Sequence, residues 1–179
     1  MSFETRLQAY LAAEHLPATF ASAVIEVYAP LAKQIGAAAR ALGPGFVLGL
    51  CGAQGSGKST LVGVLQMVLE GEGLRTATLS LDDFYLSRAD RAALAERVHP
   101  LLATRGPPGT HDVGLAIELV DALRGGGAAL APRFDKASDT QLPRFEWRPL
   151  EGPTDVILFE GWCVGAKAEP AADLRAQQH

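Results

Sequence analysis

The residues of this chain that most plainly do chemistry are Gly52-Ala53-Gln54-Gly55-Ser56-Gly57-Lys58-Ser59. Glycines at this spacing let the backbone turn tightly, so that successive N–H groups converge on an anion. A helix opening at Lys58 adds the positive end of its dipole. Lys58 can reach the outer phosphates of a nucleotide, and the Ser59 hydroxyl is placed to ligate Mg²⁺. Thr60 carries a neighbouring hydroxyl, but the register of the pattern gives the metal to Ser59. Gly52 through Thr60 are therefore expected to hold the triphosphate of ATP, with Mg²⁺ as its companion ion.

Three carboxylates stand where a parallel sheet gathers its ligands, at the carboxyl ends of strands. Asp82 and Asp83 follow the strand-like run 76–81, and Glu160 follows the apolar run 156–159. Adjacent side chains point in different directions, so one of Asp82 and Asp83 is expected to face the site while the other caps the next segment. A carboxylate after four apolar residues suits Mg²⁺, held directly or through water. An aspartate at a strand end is by itself more often a turn or cap residue.

These residues need a scaffold. The continuous apolar run 46–51 predicts a strand buried on both faces. Residues 58–70 are apolar almost all round, as in a helix buried against a sheet. Strands are expected over 76–81 and 155–160, which makes strand–loop–helix–strand the opening of a parallel α/β sheet. Apolar residues at helical spacing predict helices over 2–14, 19–42, 88–97 and 113–123. The Pro- and Gly-rich stretches 99–112 and 131–153 read as largely irregular. The chain divides into a helical segment at 1–44 packing on the core, a core at 45–165 and a polar tail at 166–179.

A length of 179 residues suits one domain, and 48% hydrophobic with 20% charged residues is an ordinary globular balance. The net charge of −4 means that no whole-molecule field draws in nucleic acid, so an anion must be held by local positive charge. Phe134, Phe145 and Trp147 accordingly read as packing residues, not a base-stacking surface. Cys51 and Cys163 have no partner pattern and read as reduced thiols. The N-terminus lacks the basic and apolar regions of a signal peptide, and no apolar run of about 18 residues spans a membrane. A cytoplasmic location is expected.

The segment Leu79-Ser80-Leu81-Asp82-Asp83-Phe84-Tyr85-Leu86 resembles the Asp-x-Phe-Tyr segment of the phosphoribulokinase, uridine kinase and pantothenate kinase group. Further segments narrow the resemblance. They are His99-Pro100-Leu101-Leu102 with Thr104-Arg105-Gly106, Pro108-Gly109-Thr110-His111-Asp112, Pro132-Arg133-Phe134-Asp135-Lys136 and Phe159-Glu160-Gly161-Trp162. In this order, from about residue 45 to 165, the chain resembles the D-glycerate 3-kinase family.

The resemblance implies the P-loop NTPase three-layer sandwich and ATP-dependent phosphorylation of the 3-hydroxyl of D-glycerate, a small hydroxy acid. Asp82 would be the general base, with Asp83 next in line, and Lys58 would act on the transferring phosphate. Glu160 would sit near Mg²⁺. Arg105 and Arg133 are candidates for the acceptor's carboxylate, since a guanidinium fork suits one. Asp83, Tyr85, His111 and Asp112 would line the acceptor pocket, with Tyr85 and Trp162 as its wall. Alternatives are a kinase of the pantothenate or nucleoside type, or an ATP-binding module without catalysis.

Relatives of this kind continue past the Glu-Gly-Trp segment to further strands and an arginine-bearing lid. In their usual strand order, 2-3-1-4-5, the strand 46–51 would here keep an open edge. The expectations are therefore an incomplete sheet, weak or absent turnover and self-association through that edge.

Overall fold

The computed structural model describes residues 1–167 and 170. Of the polar tail expected over 166–179, the remainder lies outside the described residues.

The chain opens with helix α1 (Phe3–Ala13), N-capped by Ser2, whose hydroxyl accepts from the Thr5 N–H. Helix α2 (Phe20–Ala23), a π-helical turn over Val24–Tyr28 and helix α3 (Ala29–Leu42) then run on end to end. Gly43, at φ 94°, stops this run. Strand β1 (Phe46–Cys51), helix α4 (Lys58–Gly71) and strand β2 (Thr76–Ser80) follow, with a 3-10 turn over Leu81–Phe84. Helix α5 (Arg88–Arg97) and helix α6 (Val113–Arg124) fall where the apolar spacing predicts them. The stretch expected to be irregular forms two small antiparallel ladders. Strand β3 (Ala129–Ala131) pairs with β6 (Arg148–Leu150), and β4 (Phe134–Asp135) pairs with β5 (Thr140–Gln141). Strand β7 (Val156–Gly161) closes the described fold.

The main sheet is parallel in the order β1-β7-β2, with Phe46 and Thr76 both level with Val156. Asp155 pins this register. Its carboxylate accepts from the backbone N–H, Nε and Nη2 of Arg75 at 2.8, 2.9 and 2.6 Å. Alternation along β7 feeds two cores. Val156 and Leu158 join Leu65, Val68 and Leu69 of α4 with α1 and α3 on one face, while Ile157 and Phe159 join Leu119 and Leu123 of α6 on the other. The layers are thus helix, sheet, helix.

Strand β1 departs from the expectation of burial on both faces. Phe46, Leu48 and Leu50 pack on the first core, but Val47 is 38% exposed and Cys51 is exposed. Two features accompany this. Among the described residues β1 has β7 on one side and no neighbour on the other, and a groove lies between its Val47 and α6. This shallow apolar groove of about 320 Å³ is lined by Val47, Phe159 and the α6 residues Val113, Ala116, Ile117 and Val120.

The α4 face carries much of the stability. Leu65 is 0% exposed among side chains of three helices and the sheet. Leu65→Ala is expected to cost about 2–5 kcal/mol through lost burial and a residual cavity. Thermal denaturation would register this as a drop of roughly 2–4 °C per kcal/mol. A melting temperature unchanged from wild type would mean that the core is not packed as described.

Candidate active site

The carboxyl ends of the three main strands meet side by side, with Leu50 of β1 and Ser80 of β2 flanking Glu160 of β7. A cleft of about 960 Å³ opens there. It is lined by the loop after β1, by Asp82 and Tyr85, by Arg105, Gly106 and Pro107, by Lys136, and by Glu160, Gly161 and Trp162.

The loop is shaped by its glycines. Gly55 and Gly57 sit at φ 77° and 83°, a left-handed conformation that side-chain-bearing residues rarely adopt. Gly57 is the residue from which α4 starts, so the helix N-terminus faces the cleft. The Ser56 N–H donates to the Ala53 carbonyl at 3.2 Å and tightens the turn. Lys58 Nζ donates to the same carbonyl at 2.9 Å, which folds the ammonium across the loop. Thr60 lies one turn in, where its carbonyl accepts from the Tyr10 hydroxyl at 3.0 Å.

Glu160 is only 9% exposed. Its Oε1 accepts from Ser59 Oγ at 3.3 Å and from Ser80 Oγ at 2.9 Å. A hydroxyl and a carboxylate held together beside a phosphate loop form the hard oxygen pair that suits Mg²⁺. Ser59 and Glu160 therefore fit the ion that the loop implies.

The 3-10 turn after β2 sends the two aspartates apart. Asp82 faces the cleft, where its Oδ2 accepts from Lys136 Nζ at 2.7 Å and its Oδ1 from the Tyr85 hydroxyl at 3.3 Å. Burial, and then the charge of Asp82, push the Tyr85 pKa up to about 12, so Tyr85 stays a donor. Asp83 turns away. Its Oδ1 accepts the Phe134 N–H at 3.1 Å, and it lines a neighbouring groove with Arg148. Burial raises the pKa of Asp83, opposed first by that N–H and then by the charge of Arg148. Its expected place in the acceptor pocket is corrected accordingly: Asp83 tethers β4.

Three more expected pocket residues lie elsewhere. His111 is 8% exposed and stacks on the far side of Tyr85, with ring centroids 4.3 Å apart. A backbone bridge between Tyr85 and His111 holds it there. Asp112 caps α6, its Oδ1 accepting the Leu115 N–H at 2.9 Å. Both line the apolar groove under α6 and not the cleft. Arg133 is exposed outside the cleft, close enough to Arg148 for their like charges to lower the Arg148 pKa after the larger effect of burial. Arg105 and Tyr85 do line the cleft.

Lys136 and Ser80 are site residues that the sequence reading missed. Lys136 ends the Pro-Arg-Phe-Asp-Lys segment, and Ser80 lies two residues before Asp82. Charge complementarity and strand alternation were the available signals. Three basic side chains, Lys58, Arg105 and Lys136, against two carboxylates, Asp82 and Glu160, leave the cleft one positive charge in a chain of net charge −4. Local charge, not the overall field, therefore favours an anionic ligand here.

His111 also sets a pH response. Burial lowers its pKa from the usual 6.5, and its Nε2 has no hydrogen-bond partner among the described residues. The unfolded chain therefore binds this proton more readily than the folded one. Its neutral form favours folding above pH 6.5, and that contribution is lost as pH falls below 6.5 toward the lowered value. The melting temperature is expected to fall from pH 7 to pH 5 more steeply in wild type than in His111→Gln. Superimposable profiles would refute this.

The comparisons with known proteins agree with this geometry. The family model for the phosphoribulokinase / uridine kinase family matches residues 47–174. The chain is 36% identical over 143 residues to the chloroplastic D-glycerate 3-kinase of Arabidopsis thaliana, covering 74% of this chain and 31% of that protein. It is 36% identical over 129 residues to an uncharacterized kinase of Schizosaccharomyces pombe, covering 67% of this chain and 47% of that one. Among solved structures, a D-glycerate 3-kinase from Cryptococcus neoformans var. grubii superposes with a TM-score of 0.73 at 33% identity, covering 87% of this chain and 57% of that chain. The chain thus spans between about a third and three fifths of the length of these relatives. Among the described residues no helix is long and apolar enough to cross a membrane. By the match over residues 47–174, and by the phosphate loop and carboxylates it contains, this chain belongs to the phosphoribulokinase / uridine kinase family.

Proposed function

We propose that this chain is an ATP-dependent kinase that transfers the γ-phosphoryl group of ATP to the 3-hydroxyl of D-glycerate, giving 3-phosphoglycerate. The observation that carries the reading is the single cleft uniting the phosphate loop, the Ser59–Glu160 pair and Asp82. The acceptor is suggested by the names of the two D-glycerate 3-kinases.

In this reading the loop N–H groups and the α4 N-terminus bind the phosphates, and Lys58 exchanges the Ala53 carbonyl for a phosphate oxygen. Mg²⁺, held by Ser59 and Glu160, would neutralise charge on the β- and γ-phosphates. Asp82 orients the acceptor hydroxyl and takes its proton as the new oxygen–phosphorus bond forms and the bond to ADP breaks. Lys136 must yield its contact with Asp82 as the acceptor enters, which leaves it beside the incoming anion.

Incubation with radiolabelled ATP and a panel of D-glycerate, pantothenate and uridine tests the reading. Labelled product is expected with D-glycerate. Preference for another acceptor would replace the substrate assignment. Binding of ATP with no labelled acceptor at all would leave an ATP-binding module.

A further inference from the structure

Arg91 of α5 is 0% exposed, the most deeply buried charge among the described residues. A guanidinium is costly to bury unless its donors are met. Its Nη1 donates to the Leu86 carbonyl at 2.6 Å and its Nε to the Ala103 carbonyl at 3.4 Å. Its Nη2 donates to Asp139 Oδ2 at 2.5 Å. The other oxygen of the same carboxylate, Oδ1, accepts from Arg105 Nη1 at 2.6 Å. Phe134 is the floor of this cluster, with both guanidinium carbons 5.8 Å from its ring centroid. Asp139 itself sits at φ 55°, a conformation rare for a residue other than glycine and best tolerated by aspartate and asparagine.

One carboxylate shared by two guanidiniums leaves a surplus positive charge. Arg91 is fully enclosed, so that surplus is presented by Arg105, whose side chain is 33% exposed and lines the cleft. Among the described residues the bond to Asp139 is the one hydrogen bond that Arg105 makes, and its remaining donors are available to a ligand. The same floor reaches the carboxylate at the cleft's centre. Phe134 meets the Tyr85 ring edge-on at 5.4 Å, and the Tyr85 hydroxyl bonds Asp82.

We infer that Asp139 is a positioning residue, which with the buried Arg91 fixes Arg105 at the cleft rim as the receptor for a carboxylate on the acceptor. The cluster then selects a hydroxy acid over a neutral polyol or nucleoside. This rests on the kinase reading above and adds the basis of its acceptor choice.

The test is calorimetric titration of D-glycerate and of glycerol into the chain loaded with Mg²⁺ and a non-hydrolysable ATP analogue. D-Glycerate is expected to bind at least tenfold more tightly than glycerol. Asp139→Asn should weaken D-glycerate at least tenfold while the affinity for the analogue stays within twofold. Arg105→Gln should do the same, and the double variant should lose no more than either single one, because Asp139 acts through Arg105. A merely structural role would not produce that non-additivity. Asp139→Asn strips Arg91 of its partner, so Arg91→Met/Asp139→Asn, which removes charge and partner together, repeats the test if the single variant fails to bind the analogue. Arg105→Gln, at a partly exposed position, stands as an independent arm. D-Glycerate binding unchanged in Asp139→Asn or Arg105→Gln overturns the inference, as does a wild type that binds glycerol as well as D-glycerate. Binding of the analogue with no binding of D-glycerate overturns it too. Failure to bind the analogue at all would instead bring down the kinase reading.

Discussion

Lys58→Ala is expected to weaken Mg·ATP binding roughly 10- to 100-fold while hardly moving the melting temperature of the ligand-free chain. Hydrogen bonds to charged groups contribute about 1.5–3 kcal/mol, and each 1.4 kcal/mol is about tenfold in affinity. The structure separates the two readouts. In the ligand-free chain Lys58 Nζ bonds the Ala53 carbonyl, a group already engaged by the Ser56 N–H. Removing the ammonium therefore leaves no orphaned partner, and the stability change should stay within about 0.5 kcal/mol, as for ordinary surface positions. With phosphates bound, the ammonium meets a polyanion in a chain whose own charge of −4 repels it. Calorimetric titration beside thermal denaturation checks both halves. Retained affinity would mean that the loop does not bind phosphates through Lys58.

Sequence and structure agree where chemistry is local and part where it depends on position in the sheet. The phosphate loop was legible because its glycines, Lys58 and Ser59 each have a local task. Helix α5 falls on 88–97 as its spacing predicts, and the opposite aims of Asp82 and Asp83 follow from adjacency. The runs 46–51 and 156–159, by contrast, are both continuously apolar. Among the described residues β7 lies central and is buried on both faces, whereas β1 lies at the edge, as the strand order of the resembling kinases implied, and shows Val47 to solvent. Nothing in either run records its place in the strand order.

Of the expected substrate residues, Tyr85 and Arg105 line the cleft, and the others lie outside it for a related reason. His111 and Asp112 lie in a motif-rich loop, but Tyr85 and α6 take them as structural partners. An aspartate directly before a helical pattern is itself a capping signal, and here it outweighed the functional one. Asp139 carried no signal at all, since its two arginine partners lie 34 and 48 positions away in the chain. Long-range satisfaction of a buried charge is decided by the fold.

The second large effect falls on the paired aspartates. Asp82→Asn is expected to lower the rate of phosphoryl transfer about 10²- to 10⁴-fold, the usual range for losing a general base, with Mg·ATP affinity unchanged. Asparagine keeps the shape and can still accept from the Tyr85 hydroxyl, but it cannot take the acceptor's proton. The ion pair lost with Lys136 is more than one-third exposed on both sides, at 55% and 38%, so its stability contribution is about 0–1 kcal/mol. Asp83→Ala should show the opposite pattern. Asp83, itself half-buried, holds the N–H of the buried Phe134, and orphaning that donor costs about 1–3 kcal/mol. Its melting temperature should fall, and any loss of rate should follow the loosening of the Phe134 platform. Initial rates from labelled ATP, paired with melting curves for both variants, decide the matter. If Asp82→Asn kept full rate, the base would lie elsewhere. Asp83 would be a poor replacement, because its carboxylate is already committed to the backbone of β4. The two neighbours thus divide one strand end between them: Asp82 presents a carboxylate to the cleft, and Asp83 secures the segment that carries Lys136 to it.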